Sequence, residues 1–157
     1  MPPTAGLTSL TLSGAALSST YSPHAASFAI DGNPNTFCHS TESTTPWLSV
    51  QMAQESNVSY ILLHNRVDCC QDRLSPFQLW VGASSGDYNS ATSTRCGVTN
   101  ASPGGAGEDL TAPATLGPFS FPCTGPNSAP LLGRYVTLVL TGSSRTLNIG
   151  ELQPYGP

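Results

Sequence analysis

One histidine and two arginines of this chain have types and spacing that suit a cluster of directional hydrogen bonds. His39 is followed after twenty-six residues by Arg66, and Arg73 lies a short way beyond it. An arginine presents a planar fork of N–H donors that keeps its charge, and a neutral imidazole presents one donor and one acceptor. Asp68 is close enough to Arg66 to hold its guanidinium in place. Together these side chains would suit neighbouring hydroxyl groups, each of which is both a donor and an acceptor.

Two adjacent cysteines, Cys69 and Cys70, lie between the two arginines. Consecutive Cα atoms are about 3.8 Å apart, below the usual disulfide span, so a bond between them is feasible but strained. Such a bond would offer a compact sulfur surface to the apolar face of a sugar ring. Cys96 would then pair with Cys123 and stabilise the fold by about 3 kcal/mol, leaving Cys38 over. An odd count of five cysteines also leaves open the metal-ligating or redox cysteines of a cytosolic protein.

The composition indicates a β protein with many turns. Only 9% of the 157 residues are charged, the net charge is −4, and the chain has five arginines and no lysine. It therefore lacks the residues of a helical bundle and the basic patch that nucleic acid would need. We therefore do not expect nucleic acid as a partner. No apolar run is long enough to cross a bilayer, so we do not expect membrane insertion either. Residues 1–4 lack a signal-peptide pattern, which suggests that one has been removed or that the domain comes from a larger chain.

Apolar alternation and turn signals predict about eight short strands. The segments that indicate strands are 7–21, 46–52, 60–66, 74–82, 116–122, 133–142 and 147–155. The prolines of 116–122 restrict that strand to a sheet edge, and 24–30 could form a short helical turn. We therefore expect an all-β fold, a β-sandwich built as a single domain over residues 1–157.

The motif residues resemble those of a known lectin family. The order His39, twenty-six residues, Arg66-x-Asp68, four residues, Arg73 matches the sugar-binding motif of the F-type lectins, or fucolectins. The adjacent cysteines stand where that family has a vicinal disulfide. The resemblance covers about residues 11–156. It includes landmarks shared with the broader discoidin-like group, at 29–33, 46–47, 133–137 and 150–151.

The resemblance implies a discoidin-like jelly roll that binds terminal α-L-fucose without catalysis. His39, Arg66 and Arg73 would hydrogen-bond the sugar, including its axial 4-hydroxyl. The Cys69–Cys70 disulfide would pack on the sugar ring, with Asp68 as an orienting residue. In this family the aromatic contacts to the 6-methyl group come from variable loops, where Phe37 and Tyr21 are the candidates. Loops 16–24 and 83–109 would select among fucosylated glycans.

The resemblance also implies a structural Ca²⁺ near the pocket. Its acidic ligands would be Asp31 and Glu151, joined by carbonyl or hydroxyl oxygens of Phe28, Asn33, Thr36 and Gly150. Oxygen ligands of this kind suit Ca²⁺ chemically. The segment between Asp31 and His39 is shorter than in the eel-type members. A family disulfide joins a cysteine near Cys38 to the position of Gly150, so Cys38 is expected to be free.

The expected partners are fucosylated glycans or glycoconjugates, in a secreted, extracellular or cell-surface setting. One shallow site binds a sugar weakly, so a homo-oligomer or tandem domains would supply avidity. Two other functions stay open: a discoidin-type adhesion module, and an accessory carbohydrate-binding module excised from a larger glycan-active protein. An enzyme is not expected. Adjacent cysteines are poor tetrahedral zinc ligands, and no carboxylate pair resembles that of a glycosidase.

The remaining polar and aromatic residues have ordinary interpretations. Structural or surface roles are expected for His24, His64, Trp47 and Trp80. Arg134 and Arg145 are expected to pair at the surface. N-glycosylation sequons occur at 57–59 and 100–102.

Overall fold

The computed structural model describes residues 6–98 and 101–157. These residues form eleven strands: β1 Thr8–Ser9, β2 Leu12–Leu17, β3 Cys38–His39, β4 Trp47–Val58, β5 Tyr60–His64, β6 Phe77–Gly82, β7 Ser93–Arg95, β8 Phe119–Pro122, β9 Leu131–Leu140, β10 Asn148–Ile149 and β11 Glu151–Gly156. Short 3₁₀ helices span Ala26–Ala29, Gln71–Arg73 and Pro126–Ser128. Residues 1–4 lie outside the described residues. Of the two sequon asparagines, Asn57 is exposed, and Asn100 lies outside the described residues.

One sheet has five antiparallel strands in the order β2-β4-β9-β6-β7. Trp47 at the start of β4 pairs with Val139, and Phe77 at the start of β6 pairs with Leu140. The starts of β4 and β6 and the end of β9 therefore lie together at one end of the sheet. The loops that enter or leave these strands meet at that end.

The second sheet has four strands in the order β1-β11-β5-β8, and β3 pairs separately with β10. His64 at the end of β5 pairs with Glu151 at the start of β11. His39 in β3 pairs with Asn148 in β10, just before β11. This pairing brings the His39 segment to the same end as the loop that follows β5.

The hydrophobic core lies between the two sheets. Leu48 and Val50 of β4, Leu138 of β9, and Ile61 and Leu63 of β5 are all completely buried. Because side chains alternate along a strand, β4, β5 and β6 contribute alternate residues to this core. Burial of such side chains stabilises the fold by about 1.5–3 kcal/mol each, before the entropy cost of ordering them.

The expected all-β sandwich is confirmed. The predicted edge strand at 116–122 is β8, which has β5 on one side and a free edge on the other, and the predicted helical turn is the first 3₁₀ helix. The expected strand count was too low by three. Three of the strands, β1, β3 and β10, contain two residues each, too few to produce an alternating pattern in the sequence. Among the described residues, no helix is long and apolar enough to span a membrane.

Candidate functional site

The chain segment that carries His39 has hydrogen-bonded neighbours on both sides. One side pairs with β10. On the other side its N–H donates to the carbonyl of His24 (3.1 Å), and its carbonyl accepts from the N–H of Tyr21 (2.8 Å). The loop 21–24 and β10 thus fix the position from which the imidazole projects.

Hydrogen bonding assigns the tautomer of His39. Its Nδ1 lies 2.7 Å from the carbonyl oxygen of Ser40, which can only accept, so Nδ1 carries the hydrogen. Nε2 is then an acceptor in the neutral ring. Burial lowers the pKa of His39, assisted by the charges of Arg66 and Arg73 and by His24, against an opposing contribution from the Ser40 carbonyl. The neutral, acceptor-bearing form is therefore favoured.

Arg66 is held by Asp68 in a bidentate ion pair. Its Nε donates to Oδ1 at 2.6 Å and its Nη2 to Oδ2 at 3.3 Å. These bonds lower the pKa of Asp68, and they use two of the five guanidinium N–H groups of Arg66. Three donors remain, and the Cζ of Arg66 lies 3.9 Å from the centre of the Phe37 ring. Asp68 and Phe37 therefore fix the plane of the guanidinium and leave one edge of it for a ligand.

Arg73 and the adjacent cysteines complete the group. Cys69 and Cys70 form a disulfide, with Cα atoms 3.7 Å apart, and the N–H of Arg73 donates to the Cys70 carbonyl at 3.1 Å. The exposed Arg73 places Nη1 3.5 Å from Nε2 of His39. The structure thus brings together the motif side chains predicted from the sequence.

Aromatic side chains form one flank of this group. Tyr21 is 57% exposed, and its ring centre lies 5.0 Å from that of His39. Phe37 stacks on His24 with their ring centres 4.2 Å apart. His24 and Phe37 also line a cavity of about 270 Å³ that extends toward Phe28. The sequence predicted only a structural or surface role for His24, and its place in the variable loop 16–24 was the one signal that it could lie near the motif.

Two further polar residues, Asn65 and Gln71, hydrogen-bond the backbone of the motif loop (residues 66–73), and neither was predicted. Asn65 is 1% exposed and donates to the carbonyls of Gln71 (3.0 Å) and Thr115 (3.2 Å), while its own oxygen accepts from the N–H of Arg66. The side chain of Gln71 donates to the Arg66 carbonyl at 2.8 Å. The one sequence signal was the position of Asn65 near the end of a predicted strand, where an amide side chain often hydrogen-bonds the backbone of a turn.

The other cysteines lie away from the pocket surface. Cys96 and Cys123 form a fully buried disulfide that joins β7 to the end of β8. Cys38 is free and also fully buried, and burial raises its pKa to about 12. Cys38 therefore packs as a small apolar residue with a thiol that stays protonated at neutral pH.

A second cluster, of oxygen atoms, lies in the loop that precedes β3. The hydroxyl of Thr36 lies 2.6 Å from Oδ2 of Asp31, 2.9 Å from the Asn33 carbonyl and 3.4 Å from the Phe28 carbonyl. Burial raises the pKa of Asp31, but hydrogen bonds from Glu151, Thr36 and the Asn33 N–H outweigh it, so the net shift is downward. This loop therefore gathers several oxygens around one carboxylate.

Glu151 faces that loop from the start of β11. It is 7% exposed, and its Oε1 has no hydrogen-bond partner among the described residues. Burial, and then the neighbouring Asp31 carboxyl, raise the pKa of Glu151 to about 8. Gly150 has no room for a side chain, because a Cβ there would lie 2.9 Å from the Pro34 carbonyl and 3.0 Å from that of Asn65. Two facing carboxyls and an unpaired buried oxygen are the features of a site that would fit a hard cation.

The cluster differs from a transition-metal site. The described residues contain no group of three or more His, Cys, Asp or Glu side chains able to hold a metal. Two carboxylates supplemented by carbonyls and a hydroxyl instead fit an oxygen-seeking ion such as Ca²⁺.

The prediction that Arg134 and Arg145 pair at the surface is wrong. Arg134 donates to the carbonyls of Met52 and Ala53, both at 3.2 Å. Arg145 donates to backbone carbonyls of the segment that includes Arg73. Both guanidiniums thus bind the main chain, which sequence patterns do not indicate.

A larger cavity, about 670 Å³, lies along β8 away from the motif, at Tyr60, Phe119 and Phe121. Its described lining contains no charged side chain. The motif residues are therefore a better candidate for recognition of a polar ligand than this groove.

The chain is similar to several known proteins. Residues 28–117 match the family described as NedA-like, galactose-binding domain. Fucolectin-6 of Anguilla japonica is 32% identical over 121 residues, which are 73% of this chain and 55% of that protein. The chain therefore spans about half the length of this curated relative.

Solved structures show the same fold. The serum F-lectin (fucolectin) of Morone saxatilis is 27% identical with a TM-score of 0.73, over 91% of this chain and 46% of that one. The family 32 carbohydrate-binding module of C. perfringens NanJ, solved with galactose, has a TM-score of 0.71 at 18% identity, over 96% and 99% of the two chains. The expected discoidin-like jelly roll is confirmed by these matches.

Proposed function

Because the chain belongs to the NedA-like, galactose-binding domain family and has fucolectin relatives, we propose that it is a non-catalytic lectin for terminal α-L-fucose. Carbohydrate binding has broad support from relatives named fucolectins and from a serum F-lectin with the same fold. Fucose in particular is supported by the side chains that meet at the motif.

One observation carries the proposal: Nε2 of His39 lies 3.5 Å from Nη1 of Arg73, beside a guanidinium of Arg66 that is already oriented. An acceptor and the donors of two guanidiniums, of which that of Arg66 is held by Asp68, thus lie in one small region. A sugar hydroxyl would donate to Nε2 of His39 and accept from Arg73, and its neighbour would accept from Arg66. The ordering cost on binding is reduced because Asp68 holds Arg66 in advance.

The apolar parts of fucose would have matching surfaces. The Cys69–Cys70 disulfide adjoins Arg73 and would pack on the C–H face of the ring. Phe37 and Tyr21 flank the motif and would contact the 6-methyl group, with His24 behind Phe37. This division of polar and apolar contacts is what distinguishes a deoxy sugar from one with a 6-hydroxyl.

We propose a structural Ca²⁺ in the oxygen cluster. Asp31 and Glu151 would supply the carboxylates, with oxygens of Phe28, Asn33, Thr36 and Gly150. When bound, the ion would neutralise the two facing carboxyls. The loop 28–36 would then be fixed against β11, and with it the start of β3 that carries His39.

The absence of catalysis is supported by the state of the reactive groups. Cys69 and Cys70 are joined in a disulfide, and Cys38 is buried and protonated, so none of them supplies a thiolate. Asp68, the carboxylate beside Arg66, is an exposed ion-paired acceptor rather than a proton donor.

The proposed partners are fucosylated glycans outside the cell. Two disulfides favour an oxidising compartment, and the striped bass relative is a serum protein. One shallow site binds a monosaccharide weakly, so oligomers or tandem domains would raise avidity.

The direct test is calorimetric titration with L-fucose, L-galactose and D-glucose. We expect saturable binding of L-fucose, weaker binding of L-galactose because its 6-hydroxyl meets an apolar flank, and none of D-glucose. No heat with L-fucose or with a fucosylated oligosaccharide would reject the proposal. Binding to glycan-free liposomes, in place of fucose, would instead favour the adhesion function.

A further inference from the structure

Arg145 is outside the sugar-binding motif, yet its side chain binds the segment that carries Arg73. Nη2 donates to the carbonyls of Arg73 (3.0 Å) and Leu74 (3.3 Å). Nη1 donates to the carbonyls of Pro76 (3.1 Å) and Thr141 (2.6 Å). One guanidinium thus joins the end of the motif loop to the end of β9.

The backbone around Arg145 binds the segment that carries His39. Arg145 and Ser43 exchange two backbone hydrogen bonds, both 2.9 Å. Further along, β10 pairs with β3, so that Asn148 is opposite His39. Between these pairings, the Leu147 carbonyl accepts from the N–H of Ser40 at 2.8 Å. The segment 145–149 therefore runs beside the His39 strand over its whole length.

These two sets of contacts meet in a single residue. The main chain of Arg145 is hydrogen-bonded to the segment that leads from His39, and its guanidinium is hydrogen-bonded to the segment that carries Arg73. His39 lies in β3 and Arg73 in the 3₁₀ helix Gln71–Arg73, so the two side chains that approach within 3.5 Å come from separate chain segments. Their relative position therefore depends on the contacts that connect those segments.

We propose that Arg145 is the positioning residue that sets the separation of His39 and Arg73, and that it thereby determines affinity for the sugar. Arg145 is not one of the proposed sugar-binding residues, and it acts through the backbone of the Arg73 segment. The predicted effect on sugar affinity rests on the proposed function, whereas the placement of Arg73 beside His39 can be measured without any sugar.

An arginine is required by the geometry of the contacts. A planar fork reaches carbonyls on two chain segments at once, whereas a lysine ammonium is a single point donor on a flexible stem. Arg145→Lys keeps the positive charge, so any change it causes comes from lost geometry. Arg134→Lys is the matched control. Arg134 also donates to two backbone carbonyls, but it lies in β9 about 20 Å from the Thr141 end.

The ligand-free readout is the pKa of His39, followed by NMR of its imidazole. Burial lowers this pKa most, the Ser40 carbonyl opposes it, and the charges of Arg66, Arg73 and His24 lower it further. We expect Arg145→Lys and Arg145→Ala to raise the His39 pKa toward the ordinary value near 6.5, because Arg73 moves away. Arg134→Lys should leave it at the wild-type value.

The second readout is affinity for L-fucose by calorimetry, with the melting temperature of each variant. Loss of one charged hydrogen-bond partner predicts about tenfold weaker binding in Arg145→Lys. A variant that melts lower but keeps the wild-type His39 pKa and affinity would show that Arg145 is merely structural and overturn the proposal. If Arg145→Ala does not fold, Arg145→Lys decides. If the wild type itself does not bind fucose, the proposed function fails, and the His39 pKa still tests the positioning.

Discussion

Nε2 of His39 and Nη1 of Arg73 are 3.5 Å apart, although the two residues are 34 positions apart in the chain. A carbonyl fixes the hydrogen of His39 on Nδ1, so the acceptor nitrogen is the one that faces the guanidinium. Donor and acceptor are thus presented side by side, the arrangement that a sugar hydroxyl can complete.

Arg73→Ala should abolish detectable fucose binding and leave the fold intact. The side chain is exposed, and the contacts of this residue with Arg145 and Cys70 use its main chain. Loss of a charged donor pair predicts at least about a hundredfold weaker binding by calorimetry. Asp72→Ala is the matched control, since Asp72 is an exposed neighbour in the same 3₁₀ helix. Unchanged affinity in Arg73→Ala would remove Arg73 from the site.

Fucose affinity should be level above about pH 6.5 and should fall only below it. His39 must be neutral to accept through Nε2, and its pKa is lowered mainly by burial. Calorimetry between about pH 5 and 8, with NMR of the imidazoles, would measure both quantities. Affinity that already declines above pH 7, or a His39 pKa above its ordinary value, would contradict this assignment.

The same pKa shift has a consequence for stability. Because the folded-state pKa of His39 is below the unfolded value, the unfolded chain binds more protons between the two values. The contribution of neutral His39 is therefore complete above about pH 6.5 and is lost as the pH falls through that value toward the folded-state pKa. Denaturant titrations at matched pH should show a smaller decline in His39→Gln than in the wild type.

Ca²⁺ should raise the melting temperature and chelation should lower it. At a hundred times the dissociation constant, a ligand of the folded state adds about 2.7 kcal/mol. Glu151→Gln should lose this response. In chelator it should melt at or above the wild type, because it removes one of two facing carboxyls. Glu42→Gln, at an exposed position, should keep the wild-type response. A wild-type melting curve indifferent to chelator and Ca²⁺ would argue against the ion.

The two disulfides should have different effects when removed. Replacement of Cys69 and Cys70 by serine should weaken fucose binding with little change in melting, because the loop that their bond closes is minimal. Replacement of Cys96 and Cys123 should lower the unfolding free energy by about 3 kcal/mol, since their bond spans 27 positions. Equal affinity before and after loss of the Cys69–Cys70 bond would show that its sulfur surface does not contact the sugar.

Gly150→Ala should destabilise the domain by about 1–3 kcal/mol. The added Cβ would meet the carbonyls of Pro34 and Asn65, and neither can move without shifting the loops of both proposed sites. Gly14→Ala is the matched control, because the nearest atom to its Cβ is the side-chain oxygen of Gln51 at 3.8 Å. Equal denaturant midpoints for the two variants would show that the loops relax at no cost.

The sequence alone indicated which side chains could form the proposed pocket. The types of His39, Arg66, Asp68 and Arg73, with a spacing that matches the motif of a known family, suggested their roles without coordinates. The apolar alternation likewise indicated a sandwich, because one face of each strand must be buried. The broad fold was therefore predictable from residue type and order, and the roles of these side chains stay predictions.

Tertiary structure decided the rest, because those contacts depend on which loops the sheets bring together. His24 stacks on Phe37, and Asn65 donates a hydrogen bond to the Thr115 carbonyl, and in both cases the partner is distant in the sequence. Arg145 looked like a surface charge, since a guanidinium that binds backbone carbonyls leaves no pattern of complementary side chains. Backbone acceptors are present at every residue, so only the folded chain determines which of them an arginine meets.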